Sequence, residues 1–182
     1  MKKKELKIAL KAAARVAQER AFFVIGSQAV HAHCRRPPAE VLLSQECDLY
    51  PRSRPQAAAL LARELGRNSA FAREHGFYVD VVTPEIANLP PGWEKRLKQL
   101  RIQGITAFCL EIHDMLASKL AAGRLKDLEL AGGIIKLRLA NVRTLRARLA
   151  KLIPVSARRR ARSSLTAVLS ELSSSAKSAE SP

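Results

Sequence analysis

Apolar residues recur at helical spacing from Lys2 to Arg20, where Leu6, Ala9, Leu10, Ala13 and Val16 form one stripe between lysines, so an amphipathic helix is expected there. The period then changes. Ala21 to Ile25 is a short apolar run that reads as a strand ending at Gly26, and Ser27 opens a helix continued by Gln28 to Cys34. Arg35, Arg36, Pro37 and Pro38 break it, Val41 to Leu43 read as a strand, and the chain continues extended through Glu46, Cys47, Asp48 and Leu49 to Pro51. A helix over Gln56 to Leu65 ends at Gly66, and Phe77 to Val82 is a strand with Asp80 among apolar neighbours. Leu97 to Leu110 reads as a hairpin turning near Gln103-Gly104.

The C-terminal third is helical in pattern. Glu111 to Leu130 carries Met115, Leu116 and Leu120 on one stripe, and Gly132-Gly133 is expected to break or kink the next segment. Ile134 to Ile153 reads as a basic amphipathic helix ended by Pro154. A last short helix is expected at Ser164 to Leu172, before a disordered Ser-rich tail.

Composition narrows the class. The chain has 182 residues and is 47% hydrophobic, enough for a substantial core. No apolar run approaches the roughly 20 residues that span a bilayer, and the lysine-rich start lacks the apolar core of a signal peptide, so a cytoplasmic location with no membrane partner is expected. Cys34, Cys47 and Cys109 are odd in number and far apart, which argues against a disulfide framework or a CxxC zinc site. A net charge of +16 points to a polyanionic partner, nucleic acid first. Lys136 to Arg162 holds ten Lys or Arg and no acid, so much of that charge sits in the C-terminal region.

Candidate chemistry centres on Phe22 to Tyr50. Glu46 and Asp48 lie two apart on a strand, hence on one face about 7 Å apart. Like charges so placed call for a cation. Asp80 on another strand would complete three oxygen donors, a set that suits Mg²⁺ at a phosphoryl-transfer centre. Gly26 and Ser27 could hold phosphates at a tight turn. Lys119, Arg124 and Lys126, with Asp127 beside them, could face the carboxylates from a helix. Each feature also has an ordinary explanation: a turn that caps a helix, a solvated strand face, an outward Asp on an edge strand, and a surface helix with ion pairs such as Arg124 with Glu129 or Asp127. Trp93, the only tryptophan, either anchors its loop on the core or stacks on a base.

The segments GSQAV, SQECDLYP, LGRNSAFAREHGFYVDVVTPEIANLPPGWEKRL and HDMLASKLAAGRLKD resemble the small bacterial nucleotidyltransferases of the DNA polymerase beta-like superfamily, a group distantly akin to AbiEii-type toxins. The resemblance covers roughly residues 21–130. It implies an α+β fold, a mixed sheet flanked by helices, for a domain over residues 1–130; by their own pattern, residues 131–172 read as a basic helical region and 173–182 as a tail. It also implies that Gly26 and Ser27 hold a nucleoside triphosphate, Glu46 and Asp48 bind Mg²⁺, Asp80 is a third metal ligand that activates the acceptor hydroxyl, and Lys119 contacts the nucleotide catalytically. Arg124, Lys126 and Asp127 match the next motif, the first two toward the nucleotide. Glu46 departs from the Asp that many members carry. The implied activity is transfer of a nucleoside monophosphate to a hydroxyl on RNA, such as a tRNA end, or on protein, with an antitoxin protein as a partner if the chain acts as a toxin. The alternative is an inactive fold of the same kind that binds nucleic acid or a partner protein.

Overall fold

The structure, a computed structural model, describes residues 1–179. Helix α1 (Lys3–Ala17) buries Leu6, Ala9, Leu10 and Ala13, the stripe its period marks, and ends where Gln18 turns left-handed. Strand β1 (Ala21–Val24) follows, then a six-residue 3₁₀ helix (Ser27–Ala32), helix α2 (Ala39–Leu43) and strand β2 (Glu46–Pro51). Helices α3 (Ala58–Leu65) and α4 (Ala70–His75) precede strand β3 (Tyr78–Val81). Strands β4 (Lys98–Ile102) and β5 (Ile105–Cys109) form the expected hairpin, with Gln103 and Gly104 both at positive φ, as a tight two-residue turn requires. Helices α5 (Ile112–Ala122), α6 (Leu125–Lys136), α7 (Val142–Leu149) and α8 (Val155–Ala179) complete the chain.

The fold is α+β around one mixed five-stranded sheet of order β3-β2-β1-β5-β4. β1 runs antiparallel to β2 and parallel to β5, while β2 and β3 are parallel. One face is fully apolar. Phe22, Val24, Cys47, Leu49, Val79, Ala107 and Cys109 are all buried there, and α1 and α3 pack on that side. The opposite face carries Glu46, Asp48 and Tyr50 on β2, because side chains alternate along a strand. α5 is packed between its neighbours α6, α7 and α8, with Met115, Leu116 and Leu120 wholly buried. Truncating one such leucine costs about 2–5 kcal/mol.

Several expected elements differ. Val41 to Leu43 belong to helix α2, started after Pro38, and Leu42 and Leu43 are exposed, so no sheet neighbour recruits them. The segment read as a helix over Gln28 to Cys34 is the 3₁₀ turn. Gly132-Gly133 does not break α6, which runs through both; the helical region breaks instead at Gly123, whose φ of 69° caps α5. At Gly133 a Cβ would lie 2.6 Å from Glu40 Oε2, so the missing side chain makes room for that carboxylate. The single basic helix expected over Ile134 to Ile153 is the end of α6, a turn and α7. α8 is far longer than the short helix expected at Ser164 to Leu172 and continues through Ser173 to Ala179; residues 180–182 of the expected tail lie outside the described residues. Residue 130 falls inside α6, and α8 packs on both α5 and α6. Among the described residues no helix is long and apolar enough to cross a membrane.

Candidate active site

Glu46 and Asp48 alternate along β2 and share a face, and the parallel register sets Asp80 of β3 directly beside Asp48. One carboxylate oxygen from each of the three lies within 4.8 Å of the others. Sequence spacing anticipated the first pair; the register brings the third. Asp80 is exposed, on an edge strand, and has no hydrogen-bond or ion-pair partner among the described residues. Asp80 among its apolar neighbours thus faces outward, and the burial falls on Asp48, which is 7% exposed.

Gly26 explains how Asp48 fits. The backbone N–H of Ile25 donates to the Asp48 carbonyl at 2.9 Å, which lays Gly26 across the Asp48 side chain. A Cβ on Gly26 would fall 1.8 Å from Asp48 Oδ2, so any other residue evicts the carboxylate. Ser27 is buried beside it, its hydroxyl accepting a bond from Gln28 Nε2 at 3.3 Å. The following 3₁₀ helix has only six residues, so Ser27 contributes a hydroxyl and not the N-terminus of a long helix.

Cations meet the acids from α5 and α6. Lys119 is buried, with Nζ 3.3 Å from Asp48 Oδ2 and 3.7 Å from Asp127 Oδ1. Lys126 Nζ donates to Glu46 Oε1 at 2.5 Å. Arg124 Nε donates to Asp127 Oδ2 at 2.7 Å, so of the two partners its spacing allowed, Glu129 and Asp127, it takes the nearer in sequence. A brace not foreseen holds Glu46 from the other side: Tyr78 donates its hydroxyl proton to Glu46 Oε2 at 3.2 Å, and Arg67 Nη2 donates to the Tyr78 oxygen at 2.7 Å. The signal for it was Tyr78 two residues before Asp80, hence on the same strand face.

Four carboxylates, Glu46, Asp48, Asp80 and Asp127, thus lie among Lys119, Lys126 and Arg124, with Arg67 attracting Glu46 and Asp80 from the surface. The crowding of like charge is felt at Asp48. Burial raises its pKa above the usual carboxylate value, Lys119 opposes this, and the charges of Glu46 and Asp80 push it further up. Glu46 is also pushed up by burial, but Lys126, Lys119 and the Tyr78 hydroxyl outweigh that and hold it below the ordinary range. A hard divalent cation fits such a site: three oxygen donors converge, one of them unpartnered, and their mutual repulsion is what a cation relieves.

Two clefts flank the acids. One, of about 310 Å³, is lined by Ser27, Glu46, Arg67, Tyr78, Lys119 and Lys126. The other, of about 320 Å³, is lined by Glu46, Asp48, Asp80, Ser118, Lys119 and Arg124, with exposed Ile86 among its apolar residues. Glu46 and Lys119 border both, so the acids form a ridge between two spaces. Every site residue marked by the sequence therefore lies in one neighbourhood, Gly26 beneath Asp48, Asp127 behind Lys119 and Arg124 at the rim of the second cleft.

The model of a family described as nucleotidyltransferase of unknown function (DUF6036) matches residues 5–142, which includes all of these residues and the whole sheet. Neither a curated protein nor a solved structure matches the chain.

Proposed function

The chain belongs to this nucleotidyltransferase family, and from that premise we propose that it moves a nucleoside monophosphate from a nucleoside triphosphate to an acceptor hydroxyl on RNA. Glu46, Asp48 and Asp80 would hold Mg²⁺, which when bound supplies charge neutralisation at the phosphates and the leaving group. The triphosphate takes the first cleft, where Lys119 and Lys126 offer positive charge and Ser27 a hydroxyl. The Lys126 pair with Glu46 is partly exposed, so its ammonium can exchange the carboxylate for a phosphate at little cost. The acceptor takes the second cleft. There Asp80, without a hydrogen-bond or ion-pair partner among the described residues, receives the proton of the attacking hydroxyl; the new O–P bond forms at the α-phosphorus as the bond to pyrophosphate breaks.

The observation that carries this reading is the in-register placement of Asp80 beside Asp48 with Gly26 beneath, which sets like charges side by side. Incubation with each labelled nucleoside triphosphate, Mg²⁺ and total RNA, beside Asp48→Ala, tests it. Label should enter RNA only with intact Asp48. Label entering the protein instead would move the acceptor to a protein hydroxyl. No transfer together with no Mg²⁺-dependent nucleotide binding would leave a nucleotidyltransferase fold that serves as a binding module.

A further inference from the structure

The sheet face that bears the acids continues beyond them. Pairing registers place its side chains in rows across the strands, each row two residues, about 6.7 Å, from the next. The first row holds Asp80 and Asp48. The second runs Tyr50, Phe23, Phe108 and Gln99. The third holds Ala21, Thr106 and Arg101, with Arg52 joined to it through a bond from its N–H to the Ala21 carbonyl. Acids, then aromatic rings, then arginines succeed one another on one surface.

That surface is half-open. Tyr50, Phe23 and Phe108 are each partly exposed, whereas the rings and aliphatic groups of the opposite face are buried under α1 and α3. Its cover is thin. Trp93, itself partly exposed, meets Phe23 edge-on at 5.6 Å, and the exposed Arg52 reaches over β1 to place its guanidinium 4.0 Å from the Phe108 ring centre. A guanidinium seated on a ring presents its other plane to solvent, a stacking surface for a nucleobase. Arg20, whose guanidinium lies at the Gly104 turn, and exposed Arg101 add charge at the same end. Of the carboxylates nearby, Glu19 is buried and occupied by the backbone N–H groups of Ser53 and Arg54, while Glu94, next to Trp93, is exposed.

We propose that this face is the docking platform for a single-stranded nucleic-acid acceptor, its terminal hydroxyl at the acids, its next bases stacked on the Phe23, Phe108, Trp93 and Arg52 surface, and its phosphates on Arg52 and Arg101. The inference rests on the transferase reading for the direction of the strand. Stacking on aromatic and guanidinium planes tolerates any base, and the arginines meet the backbone, so the platform recognises single strands without reading sequence. A duplex keeps its bases stacked inward and offers only phosphates.

Because Trp93 is the only tryptophan, its fluorescence reports this surface. Titration of the full chain, without nucleotide or Mg²⁺, with 12-nucleotide single strands of RNA and of DNA should quench Trp93 along the same curve that raises the anisotropy of a labelled strand. Arg52→Ala with Arg101→Ala should weaken binding at least tenfold and flatten its salt dependence. Phe108→Leu, which keeps an apolar side chain and removes the stacking plane, should weaken it roughly fivefold to a hundredfold. Arg158→Ala with Arg159→Ala on α8 should leave Trp93 quenching in place. Anisotropy that rises while Trp93 is silent, or loss of binding only in the α8 variant, overturns the proposal in favour of the C-terminal helices. Equal quenching by a polyglutamate peptide overturns it in favour of an acidic protein partner. RNA and DNA curves that differ identify which sugar the platform accepts and support it either way. If the strand quenches Trp93 but no label is ever transferred, the platform stands and the transferase reading falls; transfer to RNA with Trp93 unresponsive sinks the platform alone.

Discussion

Helix α5 holds two buried charged groups in opposite ways. Near its start, Asp114 is fully buried and over-supplied: Arg96 grips it with Nε at 2.7 Å and Nη2 at 3.1 Å, and Arg148 Nε stands 3.3 Å away in ion-pair range without hydrogen-bond geometry. Arg96 also donates to the Pro90 and Pro91 carbonyls, so Asp114 ties the loop before β4 and helix α7 to α5. Near its end, Lys119 is shared between Asp48 and Asp127 while Asp80 beside them has no hydrogen-bond or ion-pair partner among the described residues. One cluster is closed within the protein. The other crowds like charges around Asp48 and leaves Asp80 without an ion pair among the described residues, and that difference separates a structural ion pair from a site.

The largest expected effect exchanges the roles of the two aspartates. Asp114→Asn leaves two arginines around a neutral amide and should destabilise the fold by about 3–5 kcal/mol, the cost of breaking a buried pair. For a chain of this size that lowers Tm by roughly 6–20 °C. Asp48→Asn, a neutral isostere in a crowd of like charges, should leave Tm nearly unchanged while nucleotide transfer falls by at least about 10³-fold, the equivalent of several kcal/mol of lost metal stabilisation. Thermal melts and single-turnover transfer on both variants check this. A collapse of stability in Asp48→Asn with Asp114→Asn unaffected would erase the contrast.

Gly26→Ala sharpens it from the backbone side. Its Cβ would overlap Asp48 Oδ2, so the carboxylate must swing away from the other two acids. Mg²⁺ affinity should fall about 10- to 100-fold, as when a ligand loses its supporting geometry, and overpacking should cost about 1–3 kcal/mol of stability. Calorimetric Mg²⁺ titration and denaturant unfolding measure the two separately. Unchanged Mg²⁺ affinity would mean that Asp48 is not a ligand.

Metal response is the next step down. At a Mg²⁺ concentration 100 times Kd, the native protein should gain about 2.7 kcal/mol, seen as a rise of roughly 5–10 °C in Tm. Asp80→Asn should abolish most of that rise. In metal-free buffer the same variant should melt slightly higher than the parent, because it removes a charge repelling Asp48 and breaks no hydrogen bond or ion pair among the described residues. No equivalent Mg²⁺ response is expected from any change at Arg96 or Arg148.

The two clusters were not equally legible in the sequence. The site announced itself through local pattern: Gly26 after an apolar run, acids at spacing two on the next polar-faced strand, and Asp80 in an otherwise apolar strand, all of which the pairing of β1, β2 and β3 then assembled. The Asp114 staple had no such pattern, because its arginines come from residues 18 positions before and 34 after, on a loop and a later helix. Which lysine meets which acid was equally invisible, since it depends on how α5 and α6 diverge at Gly123. Local propensity misled where tertiary packing decided. Val41 to Leu43 look like a strand but follow Pro38 into a helix with two exposed leucines, and Gly132-Gly133 look like a break but pack beside Glu40 and Val168 within a continuous helix.

The smallest effect concerns the brace on Glu46. Tyr78→Phe keeps the ring against which Arg67 lies, its guanidinium 5.1 Å from the centroid, and removes only the hydroxyl that donates to Glu46 Oε2. The ring is near the surface and Lys126 still holds the other carboxylate oxygen, so stability should change by no more than about 0.5 kcal/mol. Glu46 has one methylene more than an Asp and an extra rotatable bond, so without the hydroxyl its free oxygen is no longer aimed at Asp48 and Asp80. Mg²⁺ affinity should therefore drop by about tenfold at most, with a matching loss of nucleotide binding that added Mg²⁺ restores. A loss that excess Mg²⁺ does not repair would show that Tyr78 and Arg67 touch the nucleotide itself, which would extend the open cluster to the far wall of the first cleft and leave the closed one, around Asp114, as purely structural.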